Sequence, residues 1–270
     1  MKILSIDIGG TFIKYGIYNS IEKKFIIKNK EKTGNTKKVF LNIFNKIILN
    51  SITKYKINEI FISIAGTFTN IEKGILKESK NLLINNFNIK KHIQSLTNKK
   101  LNIKIINDGK AHIYGYYKKN NLNIKYNNIL GITLGTGFGL GIIINKEIYF
   151  GKNNSGEFAH TLYLDKTIED YVSKKGIINI AKKYNTIIKE PTEILEKKYQ
   201  RIWNEFGLHL SNAIYNLILI FDPELIVIGG QISLSHKLFE EKMYLELKKK
   251  LKILPKIKFI KKNYALYGFL

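Results

Sequence analysis

The strongest constraint on this chain is that it repeats itself. Ile3-Leu4-Ser5-Ile6-Asp7-Ile8-Gly9-Gly10-Thr11-Phe12 is echoed by Ile129-Leu130-Gly131-Ile132-Thr133-Leu134-Gly135-Thr136-Gly137-Phe138. Each copy is an apolar strand, a Gly/Thr turn and a second apolar strand, Ile13–Tyr18 or Leu140–Ile144. Glycine lets a backbone turn tightly and lie against a ligand. Threonine adds a hydroxyl, so such a turn can surround a phosphate with donors. Neither copy is a G-x-x-x-x-G-K-[ST] loop or a G-x-G-x-x-G turn opening a helix. One copy alone reads equally well as a plain hairpin turn. Two in matching register predict two related lobes gripping a polyphosphate between them. Asp7 has Thr133 as its counterpart, so only the first copy offers a carboxylate to magnesium.

Bulk properties narrow the class. At 270 residues with 44% hydrophobic content the chain can bury a sizeable core. Without cysteine it has neither disulfides nor thiolate metal sites, which fits a reducing compartment. Asp7 interrupts any leader-like apolar core, and the run Ile214–Phe221 is too short to span a bilayer. The expectation is a soluble cytoplasmic protein without membrane association. The formal net charge of +24 invites a nucleic-acid reading. Against it, Arg201 is the only arginine, and the lysines are dispersed among the Ile and Asn residues that A/T-rich codons favour. No DNA-binding module is visible, so no dedicated nucleic-acid partner is expected.

Strand-like runs at 3–8, 13–19 and 24–28 form a meander, and Phe40, Ile43, Phe44, Ile47 and Ile48 fall at helical spacing. Strands follow at Glu59–Ile64 and Asn102–Ile106. Between them, residues 70–100 read as an asparagine-rich surface excursion with a short helix near 88–97. A helix over about 109–118 closes an N-terminal lobe, 1–118, to which a terminal helix at 262–270 returns. A C-terminal lobe, 119–261, opens with the second hairpin at 129–149. It continues with helices near 167–184, 197–221 and 236–252 and strands at Glu224–Ile228 and near 257–261. Strands and helices interleaved twice predict an α/β fold of two related lobes with a cleft between them.

Asp108 lies at the carboxyl end of the 102–106 strand, where ligands gather in open α/β sheets. Phosphoryl transfer to a hydroxyl needs a carboxylate to orient the hydroxyl and take its proton. An Asx residue there could equally cap the following helix. Glu157 and His160, with Glu169 further on, combine the donors and acceptors that fix sugar hydroxyls. Asn81 is another candidate for hydroxyl recognition. Gly229-Gly230 makes a turn against which a flat ring could lie.

Taken in order, these residues resemble the ROK family of sugar kinases, within the actin/hexokinase-like (ribonuclease H-like) ATPases. The resemblance runs from Asp7 through Lys14, Ala65-Gly66, Asn81, Asn107-Asp108, Leu134–Gly137, Gly156–His160 and Glu169 to Asp222-Pro223-Glu224 and Gly230. It implies ATP-dependent phosphorylation of a hexose 6-hydroxyl, glucose first, with Asp108 as general base. Gly66, Asn81, Asn107, Asp108, Glu157, His160 and Glu169 would bind the sugar. Gly9, Gly10, Thr11, Lys14, Gly135, Thr136 and Gly137 would hold phosphates, Gly229 and Gly230 the adenosine, and Asp7 magnesium through water. Alternatives within the resemblance are a polyphosphate-dependent glucokinase, a kinase for another hexose or an N-acetylhexosamine, and a sugar-binding regulator without a DNA-binding domain. A homodimer would match related proteins.

Many members carry a Cys-rich zinc loop after the Glu-x-x-His segment. Here Asp165-Lys166 runs straight into Thr167-Ile168-Glu169 and cysteine is absent, so zinc by that motif is excluded. His160 is then expected to be oriented by a carbonyl or by Tyr163. Lys110, two residues after Asp108, is expected to lower the pKa of that carboxylate.

Overall fold

The computed structural model describes residues 1–79, 82, 84–152 and 155–270. Asn81 lies outside the described residues. Two compact units emerge, Met1–Asn121 with Phe150–Ser155 and Tyr264–Leu270, and Leu122–Tyr149 with Gly156–Asn263. Among the described residues, no helix is long and apolar enough to cross a membrane.

The first unit contains strands β1 (Lys2–Ile8), β2 (Phe12–Asn19) and β3 (Lys24–Lys32), helix α1 (Lys37–Tyr55), and strands β4 (Glu59–Ile64), β5 (Thr67–Asn70), β6 (Ile75–Ser79) and β7 (Ile84–Asn88). Helix α2 (Ile89–Ser95), β8 (Asn102–Asn107) and α3 (Asp108–Lys119) follow. Its main sheet has the order β3-β2-β1-β4-β8. The hairpin strands are antiparallel, whereas β1, β4 and β8 run parallel. β1 is buried along all but its first residue, as a near-continuous apolar run at the centre of a covered sheet should be. Phe40, Phe44, Ile47, Ile48 and Ile52 of α1 pack into the same core.

The second unit repeats the plan. Strands β9 (Ile129–Leu134), β10 (Phe138–Ile144), β11 (Glu147–Ile148), β12 (Leu162–Tyr163) and β13 (Lys166–Thr167) precede helices α4 (Ile168–Tyr171), α5 (Lys174–Lys183) and α6 (Gln200–Phe221). Strand β14 (Leu225–Gly229), helix α7 (Glu240–Lys250) and β15 (Lys256–Phe259) complete it. The order β11-β10-β9-β14-β15 has the same sense at each step as the first sheet: antiparallel, antiparallel, parallel, parallel. The mixed α/β fold with two related halves is therefore present.

Four expectations need correction. The asparagine-rich excursion holds a three-stranded antiparallel sheet, β5-β6-β7, anchored by buried Phe68, Leu76 and Ile84. The helix expected over 167–184 is two helices, because Ser173 adopts an extended backbone and caps α5 by accepting from the Gly176 amide. The 236–252 helix begins instead as a 3₁₀ segment, Ile232–Leu238, kinked at Ser235. The terminal helix is reduced to one 3₁₀ turn, Ala265–Tyr267, which lies so close to α3 that a Cβ on Gly115 would collide with the Tyr264 carbonyl.

Candidate active site

In the first unit, the β1–β2 turn has a consistent polarity. The Gly9 amide donates to the Phe12 carbonyl at 3.0 Å, and the Thr33 amide donates to the Thr11 carbonyl at 3.0 Å. The Thr33 hydroxyl donates to the Gly9 carbonyl at 2.6 Å. Carbonyls are thus tied back, whereas the Gly10 and Thr11 amides donate to no protein group among the described residues. Such a turn presents donors to an anion.

Beside it sits Asp7, buried at the end of β1. Lys14 is its cross-strand partner on β2, and Ser63 is its neighbour on β4. Ser63 donates to Asp7 Oδ1 at 3.0 Å, and Lys14 Nζ lies 3.8 Å from Oδ2. Burial pushes the Asp7 carboxyl above its ordinary value, opposed by the Lys14 charge and then by the Ser63 hydroxyl. A cation nearby would favour the ionised form, so the donor set fits magnesium held through water. Among the described residues no three carboxylates or imidazoles gather into a metal cluster. Magnesium here would draw most of its ligands from phosphates and water.

At the end of β8, Asn107 and not Asp108 caps α3, accepting from the Gly109 amide at 3.0 Å. Its Nδ2 also donates to the Gly66 carbonyl at 3.4 Å, which brings two of the expected sugar-shell positions together. Gly66 has φ +152°, and a Cβ there would come within 2.6 Å of the Glu78 carbonyl. Asp108 is the first residue of the helix, exposed, with Oδ1 accepting from the Gly109 amide at 2.9 Å. Lys110 is buried, and its ammonium donates to the Phe150 carbonyl at 3.4 Å.

The β9–β10 turn of the second unit repeats the polarity of the first with different residues. Gly135 donates to the Gly137 carbonyl at 3.0 Å, and the Lys174 amide at the start of α5 donates to the Gly135 carbonyl at 2.9 Å. The Thr136 and Gly137 amides have no acceptor among the described residues. Glu169 packs behind this turn, its Oε2 accepting from the Phe138 amide at 2.9 Å. Gly230, with φ +94°, lies so close to Leu134 that any side chain would strike its backbone. The flanks have diverged as well. Where Asp7 has Lys14 and Ser63 as partners, Thr133 has Gly139 and Gly229. Charged and hydroxyl groups line the first position, whereas glycine flanks the second on both sides.

Glu157 and His160 meet within one 3₁₀ turn, Nε2 to Oε2 at 3.6 Å, after Gly156 passes close against the Leu140 carbonyl with φ +86°. Tyr163 does not serve His160. Its hydroxyl lies 3.0 Å from Nδ1 of His209 on α6 and accepts from Asn212 at 2.7 Å. Sequence reasoning missed Ser63, Thr33 and Ser173. Ser63 carried a signal, because it interrupts an apolar strand at the same offset before Ala65-Gly66 that Asp7 has before Gly9-Gly10.

Comparison with known proteins identifies the family and the fold. A model of the ROK family matches residues 3–263. An N-acetylmannosamine kinase of Haemophilus influenzae is 25% identical over 255 residues, covering 87% of this chain and 82% of that one. An N-acetyl-D-glucosamine kinase of Yersinia enterocolitica is 32% identical over 144 residues, a match spanning 43% of this chain and 48% of that kinase. The crystal structure of a ROK family glucokinase from Streptomyces griseus, in complex with glucose and AMPPNP, superposes with a TM-score of 0.79 at 19% identity. That superposition covers 99% of this chain and 97% of the glucokinase, and it shows a shared fold. With its family model matched almost end to end, the chain belongs to the ROK family.

Proposed function

We propose that this chain is a sugar kinase moving the terminal phosphoryl group of ATP onto the 6-hydroxyl of a hexose. The observation that carries the reading is the pair of Gly/Thr turns. Each has its first carbonyl tied back and two successive amides without a protein acceptor among the described residues, and one lies beside a buried carboxylate. Family membership and the names of the relatives support the same chemistry.

The roles are those the resemblance to ROK kinases implies, and the chemistry of each residue is compatible with its role. The Gly10, Thr11, Thr136 and Gly137 amides, the Thr11 and Thr136 hydroxyls and the Lys14 ammonium would meet phosphate oxygens. Magnesium, when bound, would neutralise charge building on the transferred group, and Asp7 would hold it through water. Gly230, exposed just past the end of β14, would lie beside the adenosine, with the buried Gly229 behind it. Asp108 would accept the proton of the attacking hydroxyl. Gly66, Asn81, Asn107, Glu157, His160 and Glu169 would fix the remaining hydroxyls, and Asn107 also sets the start of the helix that carries Asp108.

Glucose is the acceptor that the resemblance suggests first. N-acetylmannosamine and N-acetylglucosamine join it because relatives are named for them. The test is ADP release coupled to a reporter, with these three sugars and a β-glucoside, alongside polyphosphate as an alternative donor. Turnover with ATP and at least one sugar is expected. Protein that binds sugar yet phosphorylates none of them would sink the proposal.

A further inference from the structure

Glu169 is expected, by resemblance, to belong to the sugar-binding shell. Its surroundings give it a second task. Its Oε2 accepts from the Phe138 amide at 2.9 Å, directly after the turn Gly135-Thr136-Gly137. The three heavy atoms nearest to a Cβ built on Gly137 all belong to the Glu169 carboxylate, and the closest would collide with it. Gly137 does not have a left-handed backbone, so what a methyl there would meet is this carboxylate, which would have to move off the turn to admit it. Three successive amides, at 136, 137 and 138, could have faced a phosphate. Glu169 takes the third and leaves two. It reaches the turn from the first turn of α4, whose start is set by the Thr167/Asp170 capping box.

We infer that Glu169 is a positioning residue for the phosphate turn, fixing the Thr136 and Gly137 amides in the orientation that receives the donor. The inference rests on the kinase reading above and deepens it. The same carboxylate has a second oxygen, so one side chain can serve acceptor and donor together. Loss of Glu169 should then weaken nucleotide binding as well as sugar binding, which a pure sugar ligand would not do.

The experiment measures ADP binding by calorimetry, without turnover, and the KM for sugar separately. Variants are Glu169→Ala, Glu169→Gln, Gly137→Ala and the Gly137→Ala/Glu169→Ala pair, each checked for folding by circular dichroism and Tm. Glu169→Ala should weaken ADP about tenfold, the scale of one hydrogen bond to a charged group. Glu169→Gln should recover most of that loss, because its amide oxygen still accepts from Phe138. Gly137→Ala should weaken ADP similarly in the parent protein, but by less than about twofold once Glu169 is alanine, since the methyl then has room. ADP binding unchanged in Glu169→Ala, with only the sugar KM raised, would overturn the inference. So would additive losses in the pair. No ADP binding by the unmutated protein would instead remove the kinase reading itself.

Discussion

Thr33 donates its hydroxyl to the Gly9 carbonyl at 2.6 Å while its amide donates to the Thr11 carbonyl, so one residue past β3 ties down both sides of the first Gly/Thr turn. Valine keeps the shape and removes the hydroxyl, leaving a carbonyl without its donor. Thr33→Val should cost about 1 kcal/mol of stability and loosen the turn. The expected readout is a several-fold weaker affinity for ADP in calorimetry, with the sugar KM unchanged. Unaltered ADP affinity would show that the staple is structural only.

Asp108→Asn removes a proton acceptor but not the helix cap, because Asn107 holds that position. Phosphoryl transfer should fall about a hundredfold or more, the usual scale for losing a general base, while sugar binding persists. Near-normal turnover would take Asp108 out of the mechanism. Asn107→Ala is the complementary variant. It should lower stability by about 1 kcal/mol and reduce turnover through the displaced helix start.

Glu157 and His160 share one turn at 3.6 Å, beside a glycine that fixes the course of the loop. Glu157→Ala should raise the KM for sugar with little change in that for ATP. An unchanged sugar KM would show that Glu157 does not touch the acceptor.

His209 is held below its usual 6.5, first by burial, against the opposing pull of Glu205 and with a small contribution from Lys183. Tyr163 and Tyr171 pack on its ring. As pH falls through about 6.5, the unfolded chain takes up a proton before the folded one, so this group's share of stability is present above that pH and lost below it. Urea midpoints should therefore decline between pH 7 and 5.5, and His209→Gln should flatten that decline. An equally steep decline in the variant would assign it elsewhere.

Much of this was legible because apolar strands ending in Gly/Thr turns leave a strong local pattern. The duplicated hairpins, the strand leading into Asn107-Asp108 and the long α6 all follow from periodicity and turn chemistry. What was not legible depends on partners distant in sequence. Strands β6 and β7, Ile-Leu-Lys-Glu-Ser and Ile-Asn-Asn-Phe-Asn, have weak strand propensity and are held by pairing with each other and a few buried anchors. Ser173 sits inside a run of helical periodicity, yet its side chain caps a new helix there. The choice between capping and chemistry at position 108 could not be read from a dipeptide in which both residues are able to cap. Glu169 was expected among sugar ligands, and its bond to Phe138 spans a separation that no local motif announces.

The segment Tyr264–Leu270 belongs to the first unit, where Ser5 donates to the Leu266 carbonyl, Gly268 lies against Phe61, and Phe269 packs edge-on to Phe61 and Tyr114. A nascent chain leaving the ribosome therefore cannot finish its first-made half until residues 264–270 emerge. The other half, whose residues all precede position 264, is free to mature earlier. Synthesis order and completion order are reversed in this molecule.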